Sequence, residues 1–376
     1  MRVLISTVDF PPIEGGISTV AYQTALELCE LGHEVTVVAP YFPGQEEFDE
    51  AQPMRVIRFR GYGLGWLRAL PFLLYAWPRV RRHDVALAIN IAYGGLLGLL
   101  GRVVYGVPYV TFAYAYEFMK FAHAWPLPGL LRLLYRKSCV TIAISRFTRD
   151  ALESFGVARG HVALVLPGAP RPIAFEQDAL NAMRHRYVLE GRRVVLAVGR
   201  FVRRKGHVTL VAALPKILAQ VPDAVLVMVG QGPMLHKAAR LANALGVRDH
   251  AVFPGRLSDE EVAALYAICD VFALPTGQGE GGQVEGFGLV FAEAQAYAKP
   301  VVAGRSGGVC DAVADGETGL LVDPTDADAV ADAVVRVLTD SALARRLGEA
   351  GRARVARELN WAAFARRLMA EVGERR

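Results

Sequence analysis

Short apolar runs alternate with helix-length segments through both halves of this 376-residue chain, and that alternation restricts the fold more than any other feature. Arg2 to Val8 reads as a strand, Phe10 to Ile17 as a Pro/Gly loop, Ser18 to Leu31 as a helix closed by Gly32, and Glu34 to Val38 as the next strand. Strands separated by helices build a parallel sheet. Further strands are expected at 85–89, 109–112, 140–144 and 162–166, then at 194–199, 224–229, 251–253, 271–274 and 300–303. Pro167, Pro170 and Pro172 punctuate a stretch that holds neither a helix nor a central strand, so the domain linker falls there. The length is long for one core and comfortable for two. The last segment, Asn360 to Val372, carries an Asn cap and an apolar face at Phe364, Leu368 and Val372.

The chemistry concentrates in the second half. Glu285 and Glu293 bracket Glu-Gly-Phe-Gly-Leu-Val-Phe-Ala-Glu, a glycine-containing turn that opens a helix. A helix N-terminus preceded by small residues offers free N–H groups and a positive dipole end, so Gly288, Leu289 and Val290 suit a phosphate. Carboxylates do not bind phosphate but accept hydrogen bonds from hydroxyls. A diphosphate flanked by two polyhydroxylated groups satisfies both features, and a nucleotide sugar is such a ligand. Upstream, the apolar run 194–199 enters Arg200, Phe201, Val202, Arg203, Arg204, Lys205 and Gly206 and then a helical segment. That order puts Arg200 and Lys205 at the carboxyl end of the sheet, where open α/β folds bind ligands. Arg200 can fork onto phosphate oxygens and Lys205 adds a point charge. Alone, the loop reads equally as a solvated basic turn; paired with the two-glutamate segment it reads as half of a ligand site.

Those stretches resemble the family 4 retaining glycosyltransferases. The resemblance rests on Val198 to Gly206, on Val-Gly-Gln-Gly-Pro at 229–233 and on the two-glutamate segment. It extends to Lys-Pro-Val-Val-Ala-Gly at 299–304, Ser-Gly-Gly at 306–308 and Asp-Gly-Glu-Thr-Gly at 315–319. It implies the GT-B fold, two Rossmann-like domains facing each other across a cleft: an acceptor domain at 1–170, a donor domain at 175–357, and a C-terminal helix at 358–376 crossing back to the first. It implies that Glu285 holds sugar hydroxyls and Glu293 the ribose, and that Gly16 of Gly15-Gly16 faces the donor diphosphate. Catalysis is then electrostatic, with Arg200, Lys205 and the helix amides stabilising the departing diphosphate, and it proceeds without a cofactor or bound metal. Many relatives carry His-Gly-x-Glu after the fourth strand; here Tyr114-Ala115-Tyr116-Glu117 stands there, so Tyr114 and Glu117 take the acceptor side, with His123 nearby. A tyrosine donates a hydrogen bond but is a poor base at neutral pH. The stretch Val284 to Phe291 is most similar to bacterial phosphatidylinositol mannoside mannosyltransferases, which implies GDP-mannose as donor. A UDP-glucose or UDP-GlcNAc transferase with a soluble acceptor, and a sugar-nucleotide epimerase of the same fold, stay open.

Charge is segregated rather than high. Residues 1–50 hold Arg2 as their only Lys or Arg, whereas from Ala51 to Arg149 the only acids are Asp84 and Glu117 among twelve arginines and two lysines. Interleaved aromatics, and the apolar Gly61 to Trp77 flanked by arginines, point to an anionic membrane surface and a lipid-linked or otherwise anionic acceptor. The same stretch also fits an ordinary amphipathic helix over the sheet. Nucleic acid is not expected, because no recognition motif accompanies the charge. Cys29, Cys139, Cys269 and Cys310 are scattered, which suggests buried free thiols in a reducing cytosol; together with the basic, apolar surface this implies a cytoplasmic protein at the inner face of the cell membrane. Asp326-Ala-Asp328 spells a metal motif but begins a helical run, where acids serve as caps.

Overall fold

The computed structural model describes residues 1–61, 63, 69–115, 118–119 and 127–375. They form two compact units, one of Met1–Pro167 with Trp361–Arg376 and the other of Gly168–Asn360.

The first unit holds seven strands: β1 (Arg2–Ser6), β2 (Glu34–Pro40), β3 (Arg55–Phe59), β4 (Val85–Ala88), β5 (Tyr109–Ala113), β6 (Val140–Ala143) and β7 (Val162–Leu164). All pair in parallel, in the order β3-β2-β1-β4-β5-β6-β7. Central strands are covered on both faces, which is why their sequences are continuous apolar runs rather than alternating ones; Val3, Leu4, Ile5, Val85 and Leu87 are fully buried. The helix α1 (Gly16–Glu30) follows β1, starting two residues before the apolar periodicity suggests because Gly15 caps it with φ 146°. Three further helices are α2 (Ala69–Val80), α3 (Leu96–Tyr105) and α4 (Leu127–Lys137). Of the Gly61 to Trp77 segment, residues 62 and 64–68 lie outside the described residues, and from Ala69 onward it is helical.

The second unit repeats the plan with β8 (Arg193–Val198), β9 (Ala224–Val229), β10 (Ala251–Gly255), β11 (Val271–Leu274), β12 (Val301–Gly304) and β13 (Leu320–Val322), ordered β10-β9-β8-β11-β12-β13 and parallel throughout. Its helices α5 (His207–Gln220) and α6 (Leu289–Ala296) follow β8 and β11. Asp326 accepts hydrogen bonds from the Asp328 and Ala329 amides at 2.9 and 3.0 Å and so caps the helix Ala327–Thr339.

The last helix, α7 (Trp361–Glu374), belongs to the first unit although the residues before it belong to the second. Trp361, Phe364, Leu368 and Val372 line one stripe and are all at most 2 % exposed. Phe364 packs against Phe112 of β5 with ring centroids 6.5 Å apart. Burying each such side chain contributes roughly 2 kcal/mol, enough to fix the crossing.

Candidate functional site

The turn after β8 is shaped by glycine. Gly206 sits at φ +72°, and a Cβ there would lie 2.0 Å from the carbonyl oxygen of Pro275, so the turn presses against the end of β11. That contact aims Lys205 inward, where it is 8 % exposed. Its Nζ stands 2.8 Å from Glu285 Oε2, and the Arg204 guanidinium donates to the same oxygen. Arg200 lies exposed at the carboxyl end of β8 and takes no part in that cluster. The structure thus brings the basic loop to Glu285 through Lys205 and through Arg204, a residue not singled out from the sequence, rather than through Arg200.

The backbone of Glu285 is gripped from behind. The Gly308 amide donates to its carbonyl oxygen at 2.8 Å, and a Cβ on Gly307, at φ +52°, would come within 2.5 Å of that oxygen. This is what Ser-Gly-Gly at 306–308 does physically: it lets two loops touch backbone to backbone. Burial alone pushes the Glu285 carboxyl up, but Lys205 and then Arg204 outweigh it and bring the group down to about 2. Glu285 is thus a fixed carboxylate that only accepts hydrogen bonds.

One helix turn further on the environment inverts. Gly288 caps α6 at φ 90°, where a Cβ would strike the Phe291 ring at 2.5 Å. The first-turn amides of Leu289 and Val290 have no intrahelical acceptor, which leaves them to a ligand. Glu293 follows on the same helix and is half-buried. Burial raises that carboxyl, opposed by a 3.0 Å hydrogen bond donated by the Tyr266 hydroxyl and by the field of Lys205, with Asp259 adding to the rise. Tyr266 is itself 3 % exposed and stacks on Tyr297 at 6.0 Å. Its helix, Asp259–Ile268, is started by a Ser258/Glu261 capping box. Tyr266 was not singled out from the sequence; Ser258 three residues before Glu261 is the local signal of the helix that carries it.

In the first unit the carboxyl ends of β1 and β4 meet in a second polar cluster. Asn90 Nδ2 donates to Asp9 Oδ2 at 2.8 Å, while Asn90 Oδ1 accepts from the Val8 amide at 2.8 Å and the Thr7 hydroxyl at 3.0 Å. Asn90 thereby aims the Asp9 carboxylate. Gly94 allows this packing, since a Cβ there would lie 2.6 Å from Ser6 Oγ. Tyr114 follows β5 at 9 % exposure, and Ala115 next to it holds φ 74°, a strained conformation for a residue with a side chain. Gly16 opens α1 and is exposed. Glu117 and His123 lie outside the described residues. Asp9 and Asn90 were also missed by sequence reading.

Both clusters occupy the place where strand order reverses, between β1 and β4 and between β8 and β11, which is where open α/β sheets bind ligands. Two such Rossmann-like units are the plan of the GT-B glycosyltransferases. The solved structure of Anabaena HepE in complex with UDP and glucose matches with a TM-score of 0.82 across 100 % of each chain at 17 % identity, which bears on fold alone. Family models for Glycosyltransferase Family 4 and Glycosyl transferases group 1 match residues 14–171 and 181–354.

The chain belongs to the family 4 glycosyltransferases and is a hexosyltransferase. A GDP-mannose-dependent alpha-(1-6)-phosphatidylinositol monomannoside mannosyltransferase of Mycolicibacterium smegmatis is 36 % identical, with 93 % of this chain and 92 % of that protein covered. The protein of the same description from Mycobacterium tuberculosis is 35 % identical, with 98 % and 97 % covered.

Proposed function

We propose that this chain transfers mannose, with retained anomeric configuration, from GDP-mannose to a lipid of the phosphatidylinositol mannoside class. The observation that carries the reading is the Lys205–Arg204–Glu285 cluster set beside the first turn of α6. It joins a hydroxyl-accepting carboxylate, two cations and free amides at one sheet edge, as a sugar diphosphate requires. The named relatives support the mannosyl donor and the phosphoinositide acceptor.

In this reading Arg200, Lys205 and the amides of Leu289 and Val290 take the diphosphate, Glu285 the hexose hydroxyls and Glu293 the ribose, with Gly16 also among the donor-binding residues. Tyr114 and Glu117 serve the acceptor. The acceptor oxygen bonds to the anomeric carbon on the face from which the diphosphate departs, and its proton passes to a phosphate oxygen. The cations and amides hold the charge that grows on that leaving group, an electrostatic contribution of about 3 kcal/mol per well-placed donor. Neither metal nor cofactor enters this chemistry, nor does nucleic acid. The enzyme works peripherally at the inner, cytoplasmic face of the membrane that holds its acceptor.

The test is transfer of labelled mannose from GDP-mannose into the organic phase of a mixture containing phosphatidylinositol monomannoside. Label should enter the lipid as a dimannoside. Label remaining as free mannose, or appearing in a water-soluble product, would refute the lipid acceptor.

A further inference from the structure

We infer that Tyr297 is a positioning residue for the nucleotide: through Tyr266 it holds the Glu293 carboxylate for a ribose hydroxyl, and it is itself tied to the segment that joins the two units. The inference rests on the donor reading of Glu293 and deepens it. Tyr297 stands directly after α6, the helix whose first turn offers the Leu289 and Val290 amides and whose second turn carries Glu293. Its ring lies nearly parallel to that of Tyr266, the planes 19° apart and the centroids 6.0 Å apart. The Tyr266 hydroxyl donates to Glu293 Oε2 at 3.0 Å and lies 3.4 Å from the carbonyl oxygen of Val290. Tyr266 is buried and packs on both Phe272 and Tyr297, which fixes where that hydroxyl points.

A strained turn keeps Tyr297 in place. Ala298, the next residue, holds φ 56°, a left-handed conformation that is unfavourable for a residue with a Cβ. A Cβ on Gly348 would lie 2.0 Å from the Ala298 carbonyl oxygen, so the helix Ser341–Arg357 packs backbone to backbone against that turn. Strain of this kind persists where the surroundings over-determine it, and here it fixes the residue beside it.

The hydroxyl of Tyr297 does something else. It accepts a 2.8 Å hydrogen bond from the Ile173 amide. Pro170 to Glu176 has no regular secondary structure and 170–174 is exposed, so this bond anchors a segment that local structure does not hold. The segment begins where the chain leaves the first unit, after Pro167. The Ala169 amide donates to the Leu359 carbonyl at 2.9 Å, next to the point where the chain returns to that unit. A line of contacts thus runs from Ile173 through Tyr297 and Tyr266 to Glu293. Coupling between its ends is reciprocal: a ribose that fixes Glu293 steadies the linker, and a lost tether weakens the ribose contact.

The experiment is calorimetric titration of the full chain with GDP, UDP and their dideoxyribose forms, joined to hydrogen exchange of the linker segment with and without each nucleotide. The ratio of affinities for ribose and dideoxyribose nucleotides isolates the Glu293 contact from those to phosphate and base. Tyr297→Leu should lower that ratio by roughly threefold to tenfold and abolish the protection that nucleotide gives the linker. Tyr297→Phe, which keeps the ring contact, should keep most of the ratio, while the linker exchanges faster and nucleotide no longer slows it. Affinity for the dideoxyribose nucleotides should be unchanged in both variants, which a merely damaged fold would not allow. An unchanged ratio in Tyr297→Leu, or linker protection that nucleotide still confers on it, would overturn the inference while leaving Glu293 on the ribose. A wild type that binds ribose and dideoxyribose nucleotides equally would instead remove the donor reading of Glu293, and the inference with it.

Discussion

Lys205 Nζ stands 2.8 Å from Glu285 Oε2, with Arg204 on the same oxygen, so the loop after β8 and the loop after β11 are closed on each other by charge. The three side chains are between 10 % and 17 % exposed. Two cations on one carboxylate leave positive charge to spare, which is what an incoming diphosphate needs.

Glu285→Gln keeps the shape but leaves Lys205 and Arg204 facing each other without a counter-charge. Loss of one member of a buried ion pair costs about 3 kcal/mol, and a hexose that is no longer oriented costs on the order of 100-fold in turnover. Urea midpoints and nucleoside-diphosphate release should show both effects. Full stability together with full turnover would remove Glu285 from the site. Arg204→Lys should restore much of what Arg204→Met loses, because a cation on Glu285 is what is required.

Acid should destabilise the chain in two steps. His207 is 1 % exposed, stacked on Phe201 at 4.0 Å, and brought down from 6.5 to about 3 by burial and by Lys205. The folded state thus favours the neutral ring, and the associated stability is present above pH 6.5 and fades as pH falls toward 3. Glu285, about 2 against an ordinary 4.5, adds a second loss between pH 4.5 and 2, worth about 3 kcal/mol. Melting temperatures of His207→Phe should therefore fall less than those of the wild type between pH 6.5 and 4.5, while the lower step persists. Identical curves would contradict the first assignment.

Tyr266→Phe tests the carboxyl of Glu293, to which the Tyr266 hydroxyl donates at 3.0 Å. Removing the hydroxyl drives that carboxyl further up and leaves it unoriented for a ribose hydroxyl. Affinity for the free nucleoside diphosphate should fall about tenfold, the value of one hydrogen bond to a charged group, by titration calorimetry. Unchanged affinity would place the ribose elsewhere.

Much of this was legible in the sequence. The apolar run 194–199, the basic loop and the two-glutamate segment named Lys205, Glu285 and the α6 amides directly, since strand-loop-helix order alone puts them at a sheet edge. What stayed hidden depends on distances that spacing does not encode. Whether Arg200, Arg203 or Arg204 turns inward is decided by the tight turn at 203–205 and its contact with Pro275. Tyr266 reaches Glu293 only because two helices lie side by side. Asp9 and Asn90 meet only because β4 inserts next to β1, a reversal of strand order that no local pattern announces.

Asp9→Asn should act on the acceptor and spare the donor. With Asn90 aiming the carboxylate at the β1/β4 edge, its loss should lower kcat/KM for the lipid acceptor by on the order of 100-fold, with GDP affinity unaltered. Asn90→Ala, which leaves the carboxylate present but unaimed, should lose less. Equal effects on donor and acceptor would point to a structural role for the pair.

The most direct measurement of the central claim is nucleoside-diphosphate release by the purified chain with GDP-mannose or UDP-glucose, with and without phosphatidylinositol monomannoside. The account predicts release of GDP, only in the presence of the lipid, with mannose recovered on that lipid. Release from UDP-glucose instead, or release that ignores the lipid, would contradict it.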